Sequence, residues 1–225
     1  MTANNILLVH GAWADGSAWN KVIPSLLAAG FDVTAIQMPL TTLQDDEAAL
    51  RRALALVDAP VILVGHSYGG AVITEGGCDE KVVGLVYISG FAPDTGESAG
   101  SLGAGGPPTR LPEVLVPDAS GFLKLSRTGV DEAFAQDLSE SERALIFATQ
   151  GPVSGAALGG EITSPAWKRK PCWYLRASQD HAIHPDLQTM MAARMQATVA
   201  HVEASHVSML SEPQAAIDLI LQAAR

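Results

Sequence analysis

The sequence is poor in positive charge. Lysine and arginine number 14 against 24 aspartate and glutamate residues, so the formal net charge is −10 at pH 7. The longest basic cluster, residues 168–170, is a short run typical of a solvated loop. Because binding to phosphate backbones requires clustered basic side chains, the composition argues against nucleic acid as a partner.

Cysteine is also scarce. The two cysteines, Cys78 and Cys172, are too few for a disulfide framework. Cys172 lies in an apolar run where a buried free thiol is the usual occupant, although a Cys78–Cys172 bridge is left open. His181 and His184 are close in sequence but have no third ligand nearby, so we expect neither a metal site nor another cofactor.

Long hydrophobic runs are missing as well. No segment approaches the roughly 20 apolar residues that span a bilayer. The chain start, from Met1 to Val9, has neither a basic region nor an apolar stretch of signal-peptide length. We therefore expect a cytoplasmic protein with no membrane partner, whose oligomeric state stays open, a homo-oligomer included.

The sequence does contain short apolar runs that alternate with helical patterns. Such alternation predicts βα units and a parallel sheet. The predicted strands are 5–9, 32–36, 61–64, 82–88, 172–176 and 198–202, and the predicted helices are 17–29, 44–57, 67–76, 186–195 and 212–224. We expect one α/β domain, residues 1–225, with a mostly parallel central sheet of about six strands flanked by helices.

The alternation breaks between residues 94 and 165, after the fourth predicted strand. Residues 96–108 are rich in Gly, Pro and Ser and are not expected to form a regular element. Helical patterns follow at 131–138 and 140–150, the second with a capping box formed by Ser139 and Glu142. This insertion predicts a short helical cap over the C-terminal edge of the sheet, where ligands bind in open α/β folds.

The most specific motif is G-x-S-x-G at residues 65–69. It directly follows a predicted strand and directly precedes a predicted helix, which is the context that this motif requires. The tight turn forces Ser67 into a strained backbone conformation, and Gly65 and Gly69 relieve the crowding. The pattern predicts Ser67 as a nucleophile, against the alternative of an ordinary glycine-rich turn.

A serine hydroxyl needs a base to become nucleophilic at neutral pH. Among the six histidines, His206 lies in a loop between the last predicted strand and the last helix. It also follows both the nucleophile and the candidate acid in chain order, as this arrangement requires. We therefore predict His206 as the base.

The base needs an acid that orients its imidazole. Asp180 lies in the loop after the strand 172–176 and is the predicted acid. Two rivals have simpler explanations. Asp186 is expected to cap a helix, and Asp94 is expected to occupy a turn after Pro93.

A developing oxyanion needs two backbone N–H donors. The Tyr68 amide, directly after the nucleophile, is one predicted donor, and the Ala12 amide in the loop after the first strand is the other. The neighbouring Trp13 and Trp19 fit a pocket wall and simple packing equally well.

These residues together resemble the α/β-hydrolase superfamily over nearly the whole chain outside the insertion. Within it, the chain is most similar to the small plant methylesterases and their hydroxynitrile lyase relatives. The segments that carry this similarity are LVHGAW (8–13), VGHS (64–67), FAPD (91–94) and SHVSMLSEP (205–213). The resemblance implies hydrolysis of small carboxylic esters without a cofactor, with Ser67, Asp180 and His206 at the triad positions and Ala12 and Tyr68 at the oxyanion positions.

Two positions depart from the lyase pattern. The lyases have lysine directly after the base histidine and threonine after the first strand's histidine, whereas this chain has Val207 and Gly11. The expected function is therefore a serine esterase that acts on a small-molecule ester through an acyl-enzyme. Thioester, lactone and amide substrates remain alternatives, as does a ligand-binding protein with negligible turnover.

Overall fold

The computed structural model describes residues 3–58 and 60–225. The expectation that residues from Met1 to Val9 contain no signal peptide includes Met1, which lies outside the described residues. Six strands form one parallel sheet: β1 (Asn5–Val9), β2 (Asp32–Ala35), β3 (Val61–His66), β4 (Val82–Ile88), β8 (Cys172–Ala177) and β9 (Thr198–Val202). Their order in the sheet is β2-β1-β3-β4-β8-β9. The predicted α/β class is confirmed.

The centre of this sheet is covered on both faces. Every residue of β1 and β3 is buried, which explains why these strands are continuous apolar runs instead of alternating ones. The two edge strands differ: β2 alternates between exposed and half-buried residues, and β9 is mostly exposed. The hydrophobic core therefore lies around β1, β3 and β4.

Helices flank the sheet: α1 (Ile23–Ala28), α2 (Leu43–Ala55), α3 (Tyr68–Gly76), α8 (Pro185–Arg194), α9 (Ser208–Ser211) and α10 (Pro213–Ala224). The helix predicted over 17–29 is divided into a 3₁₀ turn, Gly16–Trp19, and α1. Pro24 favours this restart because it has no N–H for a hydrogen bond within a continuous helix. Within the described residues, no helix has the length and apolarity to cross a bilayer.

The segment between β4 and β8 holds a second, smaller sheet. Its three antiparallel strands are β5 (Leu115–Pro117), β6 (Phe122–Leu125) and β7 (Val153–Ser154), in the order β5-β6-β7. The insertion, expected as a short helical cap, therefore contains a small sheet as well as helices. Short helices accompany these strands: α4 (Ala99–Gly105), α5 (Arg127–Gly129), α6 (Glu140–Thr149) and α7 (Gly155–Leu158).

Two predictions for this segment fail and one is confirmed. The expectation that residues 96–108 form no regular element is wrong, because they contain α4, which is stabilised by reciprocal hydrogen bonds between Ser98 and Ser101. The helix predicted over 131–138 is instead a π-helical turn, Val130–Phe134. The capping box of Ser139 and Glu142 at the start of α6 is present as predicted.

The two cysteines are free thiols. Cys172 is buried, and burial raises the pKa of its thiol to about 12. Cys78 instead contacts the carbonyl of Ser164, with its sulfur 3.5 Å from the oxygen. The bridge that the sequence left open is therefore not formed.

Candidate active site

The site residues predicted from the sequence lie at the C-terminal edge of the central sheet. Because β1 has β2 on one side and β3 on the other, the direction of the chain across the sheet reverses at β1. In open α/β sheets, ligands bind at such a switch point. Here the turns after β1 and β3 meet closely, since a Cβ built on Gly11 would lie 2.8 Å from the Ser67 Cβ.

Ser67 connects β3 to α3 through a strained turn. Its φ of 53° and ψ of −123° lie in a region that residues with a side chain rarely adopt. The Ser67 N–H donates to the Ile88 carbonyl at 3.3 Å, and the Ser67 carbonyl accepts from the amides of Gly70 and Phe91, both at 2.9 Å. These backbone hydrogen bonds stabilise the strained turn.

The glycines on either side of Ser67 are required by close backbone approach. A Cβ on Gly65 would lie 2.6 Å from the Gly69 carbonyl oxygen, and a Cβ on Gly69 would lie 2.5 Å from the carbonyl oxygens of Val9 and His10. Real Cβ atoms do not come so close to backbone oxygens. Any larger residue would therefore displace either the turn or the end of β1.

Ser67, His206 and Asp180 form one hydrogen-bonded chain. The His206 Nε2 lies 2.8 Å from the Ser67 Oγ, and the His206 Nδ1 lies 2.7 Å from the Asp180 Oδ2. Because a carboxylate only accepts, Nδ1 carries the hydrogen in this assignment and Nε2 accepts from the hydroxyl. This chain of groups is chemically equipped to deprotonate Ser67.

Asp180 is held by the backbone and by a side chain that the sequence did not reveal. Its Oδ1 accepts from the amides of Ala182 and Ile183, both at 2.8 Å, and its Oδ2 also accepts from the Gln188 Nε2 at 2.8 Å. Gln188 is fully buried, and its Oε1 accepts from the Ala177 amide at the end of β8. The carboxylate is therefore fixed relative to the sheet as well as to His206.

Two rings enclose the His206 imidazole. The Phe134 ring, from the segment between β4 and β8, lies 5.0 Å from it, and the His66 ring lies 4.8 Å from it. The His66 Nε2 donates to the His206 carbonyl at 2.9 Å, which anchors the loop. Burial, and secondarily the neighbouring His206, place the pKa of His66 well below its ordinary value, so His66 is neutral.

Tyr68 is anchored by a buried carboxyl group, which is a second feature that the sequence did not reveal. The Tyr68 hydroxyl donates to the Asp46 Oδ2 at 2.7 Å, and the Leu40 amide donates to the Asp46 Oδ1 at 2.8 Å. Asp46 is fully buried in α2, and this burial raises the pKa of its carboxyl. The contact fixes the first residue of α3 against α2.

The amides of Ala12 and Tyr68 are available as donors. Tyr68 is the first residue of α3, so its N–H has no acceptor within that helix. In the part of the chain that the structure describes, the Ala12 N–H has no hydrogen-bond partner. Both residues line the cavity that Ser67 and His206 also line.

This cavity has a volume of about 220 Å³. It lies between the sheet edge and the β4–β8 segment, and that segment contributes wall residues from α4, from the 3₁₀ turn Leu111–Val114 and from α7. Trp13 lines it, and its Nε1 donates to the Leu123 carbonyl at 2.9 Å, whereas Trp19 is fully buried in the core. Of the two tryptophans, Trp13 is therefore the pocket residue.

The rival acids lie elsewhere. Asp94 accepts from the Thr95 amide in a turn and pairs with Lys168, and Asp186 lies exposed in the first turn of α8. The N-cap of α8 is His184, which accepts from the Asp186 amide, so the expected capping role of Asp186 is wrong.

The remaining histidines do not meet at this site. His10 Nε2 accepts from the Met38 amide at 3.1 Å, and burial lowers the pKa of His10. His181 and His201 are exposed. Within residues 3–58 and 60–225, no three His, Cys, Asp or Glu side chains cluster closely enough to hold a metal ion.

A family model described as the Alpha/beta hydrolase family matches residues 6–219. The chain is 35% identical over 131 residues to the carbendazim hydrolyzing esterase of Nocardioides sp. (strain SG-4G), a match that covers 52% of this chain and 50% of that protein. It is 33% identical over 113 residues to Methylesterase 8 of Arabidopsis thaliana, which covers 44% of this chain and 42% of that protein. The matches thus span half or less of these two relatives.

Among solved structures, polyneuridine aldehyde esterase is similar to this chain, with a TM-score of 0.85 at 21% sequence identity. The superposition covers 99% of each of the two chains. At this identity the likeness shows a shared fold. The names of all three proteins agree with the esterase branch that the sequence resembled.

Proposed function

Because this chain belongs to the alpha/beta hydrolase family, we propose that it is a serine hydrolase that cleaves small carboxylic esters through an acyl-enzyme. The observation that carries the proposal is the continuous hydrogen-bonded chain from Ser67 through His206 to Asp180. It lies beside a cavity that Ser67 and His206 both line. Such a chain supplies the base and the nucleophile that acyl transfer requires.

In the first half-reaction, the Ser67 Oγ attacks the acyl carbon of the ester while its proton moves to the His206 Nε2. The tetrahedral intermediate then collapses, the bond from carbon to the alcohol oxygen breaks, and His206 returns the proton to the departing alkoxide. In the second half-reaction, water takes the place of the alcohol and releases the acid. Asp180 stabilises the imidazolium in both halves.

The oxyanion forms within reach of the Ala12 and Tyr68 amides. Backbone donors of this kind are pre-oriented, and their stabilisation grows as negative charge develops in the transition state. Tyr68 is well suited to this role because Asp46 anchors its side chain. Residues 94–165 act as the cap that closes the cavity over the nucleophile.

Esters are favoured over other acyl substrates because the relatives are named as esterases. Val207 directly follows His206, where the resembling lyases have lysine, so cyanohydrin cleavage is disfavoured. Thioesters and lactones remain alternatives for the same groups.

The decisive test compares the parent protein with Ser67→Ala. We expect this change to lower kcat for a p-nitrophenyl ester on the order of 10⁶-fold, because it removes the nucleophile. A fluorophosphonate should add one covalent adduct to the parent, detected as intact protein mass, and none to Ser67→Ala. Ser120→Ala, in an exposed turn, is the matched control and should behave like the parent.

Near-parental turnover by Ser67→Ala would contradict the mechanism. An adduct on the parent without turnover of any ester, thioester or lactone would instead assign the chain to the ligand-binding class.

A further inference from the structure

We propose that the cavity at Ser67 selects uncharged, compact esters and that Gly103 in α4 sets the size limit. This inference rests on the proposed function, because it names the substrate class of the same site. It combines the charge of the cavity wall with the space around one residue.

The cavity wall carries no fixed charge. Among the described residues that line it, none is Asp, Glu, Lys or Arg. The Tyr68 hydroxyl is already bonded to Asp46, and the Trp13 indole N–H to the Leu123 carbonyl. Among the described lining residues, this leaves Thr109 as the polar side chain besides Ser67 and His206. Burying a carboxylate or an ammonium group without a partner costs free energy. Both the acyl group and the alcohol group of the ester must therefore be uncharged where the cavity encloses them.

One side of the cavity is built from very small residues. α4 presents Ala99, Gly100, Gly103 and Ala104 to it, and in a helix these positions share one face. No side chain on this face is larger than a methyl group. The larger apolar residues that line the cavity, Phe91 and Leu158 among them, come from other elements.

The composition of α4 works against its own stability. It contains glycine at positions 100, 103 and 105 within seven residues, although glycine is the poorest helix former after proline. Sequences that break a local rule of this kind usually do so at functional sites. We therefore look for the explanation of these glycines in the residues and the cavity that surround α4.

The three glycines have different surroundings. A Cβ on Gly100 would lie 3.1 Å from the Leu158 carbonyl oxygen, so close backbone packing accounts for that glycine. A Cβ on Gly103 would first meet the Phe91 ring at 3.8 Å, an ordinary contact, so packing does not require glycine there. Gly105 has nothing within 4 Å and does not line the cavity.

Glycine at position 103 thus leaves open the space between α4 and Phe91. A longer side chain would extend into that space and occupy part of a volume of about 220 Å³. Sites for drug-sized ligands usually enclose roughly 300–1,000 Å³, so even the open cavity suits a compact ester. Closing it further must exclude the larger substituents first.

The test compares Gly103→Leu with the matched control Gly105→Leu, the same change in the same helix. kcat/KM is measured for two ester series, one lengthened in the acyl group and one in the alcohol. For Gly103→Leu, we expect the longest member of at least one series to lose about tenfold or more relative to the shortest, since one methylene changes discrimination by that order. Gly105→Leu should keep the parental profile.

Gly103→Ala keeps the test informative if leucine disturbs folding, which thermal unfolding of each variant reports. Gly103→Ala should stabilise α4, because alanine is a better helix former than glycine. It should also lower kcat/KM for the longest esters relative to the shortest, by a smaller factor than Gly103→Leu does. An unchanged size profile in both Gly103 variants, or an equal loss for every ester, overturns the role of Gly103.

The charge arm compares two esters of the same length, one ending in methyl and one in carboxylate. Measured in about 0.3 M NaCl, where long-range repulsion is screened, the carboxylate ester should be poorer by at least about a hundredfold. Equal kcat/KM for the two overturns the selection for uncharged esters. If the parent hydrolyses no ester and takes up no fluorophosphonate, the proposed function itself fails, and this outcome is distinct from an unshifted selectivity.

Discussion

At the residue scale, Asp46 couples the protonation of a buried carboxyl to folding. Burial raises the pKa of this group above the value of about 3.9 that it has when unfolded, although the hydrogen bonds from Tyr68 and Leu40 oppose the shift. Well below pH 4 both states hold the proton. As pH rises toward the raised native pKa, the unfolded chain has lost the proton and the native chain still binds it, so the stability contribution declines.

Replacing Asp46 with Asn removes this dependence. We expect the free energy of unfolding of the parent, minus that of Asp46→Asn, to fall as pH rises from about 4 and to level off above the native pKa. Urea denaturation of both proteins between about pH 3.5 and 8 measures the difference.

The neighbouring Asp45 is a control, because its contribution to stability should depend on pH in the opposite direction. It is exposed, and hydrogen bonds from the Thr42 and Thr41 side chains lower the pKa of its carboxyl. Its small contribution is present at neutral pH and is lost as pH falls through the lowered pKa. If the Asp46→Asn difference rises with pH, as expected for Asp45→Asn, the assignment of a raised pKa is contradicted.

The site residues divide into those that a motif reveals and those that only the fold brings near. The position of Ser67 was predictable from its glycines and that of His206 from its loop, because local sequence places both at strand ends, while their catalytic roles stay predictions. The contacts of Gln188 were not predictable, since they join α8 to the end of β8 and to Asp180 in the loop between these two elements. Asp46 was equally hidden, because an acidic residue in the first turn of a helix is already explained by the helix dipole.

At the element scale, α4 depends on its N-terminal cap. The Ser98 Oγ accepts from the Ser101 amide at 3.0 Å, and the Ser101 Oγ accepts from the Ser98 amide at 2.8 Å. We expect Ser98→Ala to lower the free energy of unfolding by about 1 kcal/mol. Because α4 forms a wall of the cavity, the change should also raise KM for esters, measured by steady-state kinetics beside urea unfolding.

Ser139→Ala removes the equivalent cap from α6. The residues of α6, including Glu142 and Leu145, line a separate hollow of about 110 Å³ and contribute nothing to the described lining of the cavity at Ser67. This variant should lose similar stability, about 1 kcal/mol, and keep the parental KM. Equal changes in KM for both variants would show that the cap acts through global stability alone.

Helices and strands were predicted correctly where the apolar residues of a segment follow a single clear pattern. The buried strands are continuous apolar runs, and each was found close to its expected bounds. β5, β6 and β7 have only three, four and two residues, too few for a period to be read. α4 was missed because its glycines suggest a loop, whereas the cap at Ser98 and the packing of Leu102 stabilise a helix.

At the scale of the whole molecule, the parallel sheet and the β4–β8 segment contribute different parts of the candidate site. The sheet presents the turns after β1 and β3 at one edge, and β8 and β9 lead to the loops of Asp180 and His206. The segment between β4 and β8 adds the Phe134 ring against His206 and much of the cavity wall. In the proposed mechanism, the edge of the sheet supplies the reacting groups and the β4–β8 segment supplies the part of the wall that selects the ester.

We expect the net charge of −10 to act on charged esters before they reach the cavity. Unscreened repulsion slows the approach of anions and speeds that of cations, and the screening length falls from about 30 Å at 0.01 M salt to about 10 Å at 0.1 M. For p-nitrophenyl esters of matched size, raising NaCl over this range should increase kcat/KM at least about twofold for a carboxylate ester, decrease it for a trimethylammonium ester and leave a neutral ester unchanged. Stopped-flow or steady-state release of p-nitrophenol measures all three. A common response of the three esters would mean that salt acts on the protein itself, and that the overall charge does not influence which ester arrives.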